Sequence, residues 1–496
     1  MIFNRKSGIL LHPTSLPSRF GSGDLGQEAY KFVDFLTRSG QKLWQILPLN
    51  LPGYGESPFQ CYSAFAGNPL LISLDQLQEQ GLLTQEELAA IPSFNQDRVE
   101  FAKVRQYKER LFRQAYRRFK KCQPSAAYQA FLKASHWLAD YALFMALKQH
   151  FHGLPWNEWD APLALRQSKS MAESRRLFEE EIQYQSFLQF TFFNQWMALK
   201  GYANNRGIRI IGDLPIFVSY DSSDAWVNPQ LFELDERGKP IKVAGVPPDY
   251  FSPTGQLWGN PHYKWREMEK DHYRWWRERF QLLLQTVDIV RIDHFRGFAA
   301  YWEIPAGETT AINGRWVKGP GEKFFSTIIQ YLGNIPVIAE DLGVITPEVV
   351  ALKEQFQFPG MKILHFNLHQ GEKEKFLPEH YEPNSVVYTG THDNDTTLGW
   401  YQKLMSADKE FLATYLQLEP ARVEKDICWQ LIKVASHSNS NTAIIPLQDV
   451  LELGSEARMN YPGTVGDNNW QWRFRSGALT PEIENRLAAL TKAAGR

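Results

Sequence analysis

Apolar runs of five to seven residues recur along this chain and set its architecture. Eight of them read as buried strands: residues 8–12, 42–48, 208–213, 287–293, 336–340, 361–366, 385–391 and 442–446. Helical patterning lies between many of these runs. In residues 24–39, Leu25, Ala29, Phe32, Val33 and Leu36 fall on one face. Asp24 with Gln27 has the spacing of a capping box, and Gly40 follows as a stop. Strand–helix alternation repeated eight times predicts an α/β fold, a (β/α)8 TIM barrel. Glu340, His365 and Asp393 follow one another at intervals of 25 and 28 residues, close to the roughly 30 residues of one βα unit.

Other intervals are much longer and predict insertions. After the second strand, residues 50–205 read as a mainly helical insertion, with amphipathic helices over 100–121, 126–151 and 172–200. After the third strand, residues 219–270 form a loop insertion rich in Pro, Gly and aromatic residues. Segments that follow barrel strands build up the face on which barrel enzymes do their chemistry. With no internal repeat and no low-complexity linker, residues 1–496 are expected to form a single catalytic barrel.

Composition narrows the class. Hydrophobic residues make up 43% and charged residues 22%, as in an ordinary globular enzyme. The formal net charge is −1, with no like-charged tail, so nothing points to nucleic acid. The three cysteines, Cys61, Cys122 and Cys428, are far apart and form neither a disulfide framework nor a zinc site. No apolar run is long enough for a membrane span, and the start, Met1-Ile-Phe-Asn-Arg-Lys-Ser, does not read as a signal peptide. A cytoplasmic protein is expected. The 16 Trp residues fit a large core, and any surplus in loops would suit flat ligands such as sugars.

Four carboxylates end predicted strands: Asp213, Asp293, Glu340 and Asp393. A barrel would gather them around one pocket, although like charges brought together raise one another's pKa. A purely structural core would avoid that cost. Two chemistries use such a cluster. In glycosidic bond cleavage, one carboxylate attacks the sugar carbon and a second, protonated, serves the leaving oxygen. In a divalent-metal site, hard oxygen ligands hold magnesium, and Asp213, Asp293 and Glu340 would suit an enolase-like set. Neighbouring residues favour the first. Arg291 shares a strand face with Asp293, which favours an ionised carboxylate and is unwelcome beside a dication. Glu340 follows Val337-Ile-Ala, an apolar setting suited to a general acid. His294 and His392 could donate to sugar hydroxyls. The run Gly21-Ser-Gly-Asp-Leu-Gly matches a dinucleotide-binding pattern by spacing alone. It follows no strand directly, and the residue 20 positions beyond Gly26 is the apolar Ile46.

Longer motifs resemble those of a known family. Arg291-Ile-Asp-His, Glu340-Asp-Leu-Gly and Thr391-His-Asp-Asn-Asp-Thr look like the motifs on strands four, five and seven of the α-amylase superfamily. The version here resembles the amylomaltases, the 4-α-glucanotransferases or disproportionating enzymes of glycoside hydrolase family 77. The resemblance runs nearly end to end. It takes in Gly8-Ile-Leu-Leu-His-Pro-Thr-Ser-Leu, Trp44-Gln-Ile-Leu-Pro-Leu, Ser57-Pro, Tyr62-Ser-Ala-Phe-Ala-Gly-Asn-Pro, Ile211-Gly-Asp-Leu-Pro-Ile-Phe-Val, Gly245-Val-Pro-Pro-Asp-Tyr-Phe-Ser, Gly255-Gln-Leu-Trp-Gly-Asn-Pro and Asn469-Trp-Gln-Trp-Arg.

The resemblance implies that Asp293 is the nucleophile, Glu340 the acid and later the base, and Asp393 the stabiliser of the distorted sugar. It implies that Asp213, Arg291, His294 and His392 shape the subsite of the attacked glucose. Tyr250, Phe251 and Trp258 would cover the pocket and stack on the acceptor, while Tyr54, Ser57 and Asn469 would contact glucan nearby. Donors would be α-1,4-glucans and malto-oligosaccharides, acceptors the same or glucose, and long glucans could be cyclised. No cofactor, metal, nucleic acid or membrane is implied. Asp213 is followed by Leu-Pro-Ile-Phe-Val rather than the superfamily's calcium-associated Asn-His, so no calcium requirement is expected. A C-terminal β-sandwich domain is not expected either. A hydrolase on the same site, a magnesium-dependent lyase or isomerase, and a non-catalytic glucan-binding protein are the competing readings.

Overall fold

The computed structural model describes residues 5–248, 252–369, 371, 376–466 and 468–496. Twelve strands occur among the described residues: β1 (Lys6–Leu10), β2 (Leu43–Gln45), β3 (Arg209–Pro215), β4 (Lys242–Val246), β5 (Gln256–Pro261), β6 (Ile289–Asp293), β7 (Ala300–Pro305), β8 (Arg315–Lys318), β9 (Val337–Ala339), β10 (Gly360–Ile363), β11 (Ser385–Tyr388) and β12 (Thr442–Pro446). Eight of them form a parallel sheet in the order β10-β11-β12-β1-β2-β3-β6-β9. The Ala339 N–H, at the end of β9, donates to the Pro359 carbonyl just before β10 (2.9 Å) and brings the two edges together into a barrel. All eight expected strands are present. Parallel strands are covered on both faces, which is why β11 and β12 are buried at every position and read as continuous apolar runs.

The helix expected over 24–39 runs Gln27–Arg38 and buries Ala29, Phe32, Val33, Phe35 and Leu36. It stops where Gly40 adopts φ +76°. The capping box does not form. The Asp24 carboxylate turns back to accept from the Gly26 N–H (2.9 Å), so it holds the loop before the helix rather than the first helical turn.

Between β2 and β3 the helices are Phe101–Phe119, Ala126–Ala134, Leu138–His150, Ser168–Leu177 and Glu179–Asn205, among shorter ones. The expected helix over 126–151 is thus two, parted at Ser135–Trp137, and the one over 172–200 parts at Phe178. Two buried glutamines tie the longest helix to the loop after β2. Gln189 exchanges hydrogen bonds with the backbone of Gly67 (2.8 and 3.0 Å), and Gln195 does so with Ser73 (2.7 and 3.2 Å). A side chain at position 67 would collide with the Phe192 ring, its Cβ falling 2.0 Å away, so Gly67 allows this close approach.

The segment 219–270, expected as a loop, contains β4 and β5, and the helices Ser223–Val227 and Trp265–Lys270. These strands join β7 and β8 in an antiparallel sheet of order β5-β4-β7-β8. Lys242–Val246 and Gln256–Pro261 are short and interrupted by glycine; the second is the sheet edge, and the first meets its other partner, β7, only beyond β6. Neither segment therefore carries a strand signal by itself.

Candidate active site

β3 and β6 are neighbours, with Asp213 opposite Arg291 and Pro215 opposite Asp293. This register places one guanidinium between two carboxylates. Arg291 Nη1 donates to both oxygens of Asp213 (2.7 and 2.8 Å) and to Asp293 Oδ1 (3.0 Å). Arg291 and Asp213 are buried, while 29% of the Asp293 side chain remains exposed. Burial would lower the Arg291 pKa, but Asp213, Asp293 and Glu340 outweigh it and hold the guanidinium charged. Burial, with the added charges of Asp293 and Asp393, pushes Asp213 up to about 7 against the pull of Arg291.

Just past Asp293 the chain turns sharply. His294 has φ +53° and ψ 50°, a left-handed conformation uncommon for a non-glycine residue. Its N–H donates to Glu340 Oε2 (2.6 Å), and the Leu342 N–H donates to Oε1 (2.9 Å). The backbone of Glu340 is also fixed: its N–H donates to Ile292 (3.0 Å) and its carbonyl accepts from Phe295 (3.1 Å). Glu340 is therefore anchored against the residues on both sides of Asp293. Burial, then the charge of Asp293, raises Glu340 to about 7, while Arg291 and the two N–H donors oppose the rise. A carboxyl in this state keeps a proton near neutrality and can deliver it.

The His294 ring is partly buried and kept neutral, its pKa lowered to about 3 by desolvation and by Arg296. It meets the Trp258 ring edge-on, with centroids 4.9 Å apart and planes at 87°. Trp258 lies on β5, so the antiparallel sheet delivers an aromatic wall to the catalytic end of β6.

Across the mouth of the barrel, Asp393 lies in the turn after β11, with 45% of its side chain exposed. Asn460 Nδ2 donates to its Oδ1 (2.6 Å), and Arg458 donates to its backbone carbonyl (2.7 Å). His392 is buried against Phe59, with rings stacked at 5.1 Å and 14°. Its Nε2 lies 3.5 Å from Asp393 Oδ2. His12, at the end of β1, is buried nearby, its pKa lowered to about 3 by burial and by His392.

Asp213, Arg291, Asp293, His294, Glu340, His392 and Asp393 thus share one electrostatic neighbourhood at the C-terminal ends of the strands. Tyr54 stands 79% exposed in the turn Tyr54–Glu56. Ser57 accepts from the Phe59 N–H (3.3 Å) and so shapes the loop that carries Phe59. Asn469 is buried, and its amide has internal partners: Oδ1 accepts from the Tyr461 N–H (2.8 Å), and Nδ2 donates to the carbonyl and hydroxyl of Thr464 (3.0 Å each). It braces the turn at Tyr461 and Thr464. Tyr250 and Phe251 lie outside the described residues.

Sequence reasoning did not single out His12, Phe59, Arg458 or Asn460. His12 lies within the motif that begins at Gly8, which offered a signal. Asn460 and Arg458 belong to no quoted motif, and only the fold brings them to Asp393. Among the described residues, no group of three or more His, Cys, Asp or Glu side chains is arranged to hold a metal ion. The guanidinium of Arg291 fills the place between Asp213 and Asp293.

The profile of glycoside hydrolase family 77, described as 4-alpha-glucanotransferase, matches residues 11–480. A 4-alpha-glucanotransferase of Thermus thermophilus is 50% identical over 500 residues, covering 99% of each chain. One from Synechocystis is 49% identical over 503 residues, covering 100% of this chain and 99% of the relative. The solved structure of a Streptococcus agalactiae amylomaltase in complex with acarbose superposes with a TM-score of 0.96 at 39% identity, covering 99% of both chains. Barrel, carboxylate set and these likenesses agree: the chain belongs to the 4-alpha-glucanotransferases of glycoside hydrolase family 77.

Proposed function

We propose that this 4-alpha-glucanotransferase transfers segments of α-1,4-glucan by retaining double displacement, with Asp293 and Glu340 as the reacting pair. Glu340 gives its proton to the glycosidic oxygen as that oxygen leaves with the reducing-end fragment. The Asp293 carboxylate attacks the anomeric carbon from the opposite face, forming a glucosyl ester. The 4-hydroxyl of an acceptor glucan, or of glucose, then attacks the same carbon. It yields its proton to Glu340 as the ester bond to Asp293 breaks. Two inversions retain the α configuration, and both residues return to their starting states.

The observation that carries this reading is the asymmetry of the pair. Glu340, hydrogen-bonded one residue beyond Asp293, is raised to about 7, whereas Asp293 accepts a charge-assisted hydrogen bond from Arg291. Asp393 binds hydroxyls of the distorted sugar. Arg291, Asp213, His294 and His392 shape its subsite, and Trp258 borders the acceptor side. Donors and acceptors are α-1,4-glucans and malto-oligosaccharides, with glucose as a further acceptor. An acceptor hydroxyl on the same chain would give a cyclic product.

One apolar cluster runs from Ile9 in β1 through Phe187 and Trp196 of the long helix to Ile444 in β12, which supports reading the insertions and the barrel as one catalytic unit. Among the described residues no helix is long and apolar enough to cross a membrane, and Cys61, Cys122 and Cys428 are free thiols. These features fit a cytoplasmic enzyme.

Incubation with maltotriose tests the reaction. Transfer produces oligomers longer than maltotriose together with shorter ones. Formation of glucose and maltose alone would mean that water is the acceptor and the enzyme is a hydrolase.

A further inference from the structure

The turn that carries His392 and Asp393 is anchored from below by a carboxylate that none of the motifs includes. Asp449 lies in the short helix Leu447–Val450 that follows β12, and it is fully buried. Its Oδ2 accepts from the hydroxyls of Thr389 (2.5 Å) and Thr397 (2.7 Å), and its Oδ1 accepts from the Thr397 backbone N–H (2.8 Å). Thr389 is the first residue after β11, and Thr397 opens the helix Thr397–Lys403. One buried side chain therefore holds both ends of segment 389–397, in the middle of which Asp393 sits.

A second element locks the same ends. His365 Nε2 lies 3.0 Å from Thr397 Oγ1. Because that hydroxyl donates to Asp449, the histidine must be the donor, which assigns the neutral Nε2–H tautomer. Burial keeps His365 neutral, its pKa lowered to about 3. The ring stacks on Trp400 (4.6 Å, 13°) and lies so close to Gly390 that a Cβ there would fall 2.7 Å from it. A hydrogen-bond relay, His365 to Thr397 to Asp449, met by Thr389 from the other side, thus joins the ends of β10, β11 and β12 beneath the catalytic turn.

We propose that Asp449 is a positioning residue for the transfer reaction, setting the place of Asp393 by clamping Thr389 and Thr397 together. It touches no reacting atom. It acts on the sugar through Asp393, and so rests on the role given to Asp393 above. An acid that grips the sugar more tightly in the transition state than in the ground state must be well placed, and a displacement of about 1 Å can lower the rate by about 100-fold.

The test is a cycle of Asp449→Ala and Asp393→Ala, singly and together. It uses maltotriose and also α-maltotriosyl fluoride, a donor whose leaving group needs no protonation, so that slow variants stay measurable. In the wild-type background, Asp449→Ala is expected to lower kcat by about 10–100-fold and to change KM less than about twofold. In the Asp393→Ala background it is expected to change kcat less than about twofold, since the group it positions is gone. Equal fold-losses in both backgrounds, or an unchanged kcat in the first, would overturn the proposal. If Asp393→Ala alone keeps near wild-type activity, the role of Asp393 has failed instead, and the two failures are distinct. Should Asp449→Ala not fold, Thr389→Val and Thr397→Val each remove one hydroxyl of the clamp with little change of shape. They carry the same pattern of coupling to Asp393 at about 3–10-fold.

Discussion

The two sides of the barrel mouth are built on different physics. On the side of β3, β6 and β9, the groups proposed to react stand on or directly beside paired strands and are held by charge and by backbone N–H donors. Arg291 bonds Asp213 and Asp293 at once, and Glu340 is fixed by two backbone N–H groups. On the side of β11, β12 and β1, Asp393 stands in a turn and is held by mostly neutral partners from distant parts of the chain: Asn460, with His392 stacked on Phe59. A charged cluster on rigid strands sets protonation states. A braced turn sets position and can present Asp393 to a sugar that changes shape during the reaction. The first side, on this view, governs whether chemistry occurs, and the second governs how well the transition state is gripped.

Substitutions that remove a reacting group should separate the sides most sharply. Asp293→Asn should lower kcat on maltotriose on the order of 10⁴-fold or more, because the amide cannot form the glucosyl ester. Near wild-type rates would end the assignment. Arg291→Lys should be almost as damaging. All three bonds to the two acids leave from one nitrogen, Nη1, and a lysine ammonium, one bond nearer the backbone, does not reach that point, so a loss of at least about 100-fold is expected in initial rates. Asn460→Ala, on the braced side, removes one hydrogen bond from a half-exposed carboxylate and should lower kcat by about 10-fold. If Asn460→Ala proved worse than Arg291→Lys, the division between the sides would be wrong.

Smaller effects follow from Glu340. In its proposed role it must carry a proton to begin the reaction, so kcat/KM should fall as pH rises through about 7. With α-maltotriosyl fluoride as donor the leaving group needs no acid, and this alkaline limb should weaken in the first step. The same shift bears on stability. The folded pKa of Glu340 exceeds its ordinary value of 4.5, so between there and about 7 the folded state holds a proton that the unfolded chain releases. Stability from this group therefore falls as pH rises through that window. Glu340→Gln removes the effect and should raise the Tm at pH 8 by about 2 °C, with little change at pH 4, in a thermal melt.

The contrast between the sides also explains what could be read from the sequence. Asp213, Arg291, Asp293 and Glu340 each end or line an apolar run, and strand pairing translates such positions directly into neighbours in space. Asp393 ends a motif of the same kind. Its supports do not: Asn460 and Arg458 sit in a loop without periodicity, and Asp449 follows a strand that, in sequence, looks only like core. The antiparallel sheet was illegible for a related reason. β4 pairs with β5 on one side but meets its other partner, β7, only beyond β6, and the glycines in both short strands break the local pattern. The Asp24 capping box had the right residues at the right spacing, yet a nearer backbone donor, the Gly26 N–H, took the carboxylate. The backbone grip on Glu340 was hidden because it depends on the left-handed turn at His294, a conformation the residue type does not declare.

The central claim is that Asp293 carries the sugar while Glu340 handles the proton. Trapping the ester tests it most directly. The Glu340→Gln variant, given α-maltotriosyl fluoride and no acceptor, can form the ester without an acid but lacks the base to pass it on. Digestion and mass spectrometry should then find a maltotriosyl adduct on the peptide containing Asp293, disappearing when Asp293→Asn is added. An adduct on another carboxylate, or turnover of the fluoride with inversion and no adduct at all, would contradict the account.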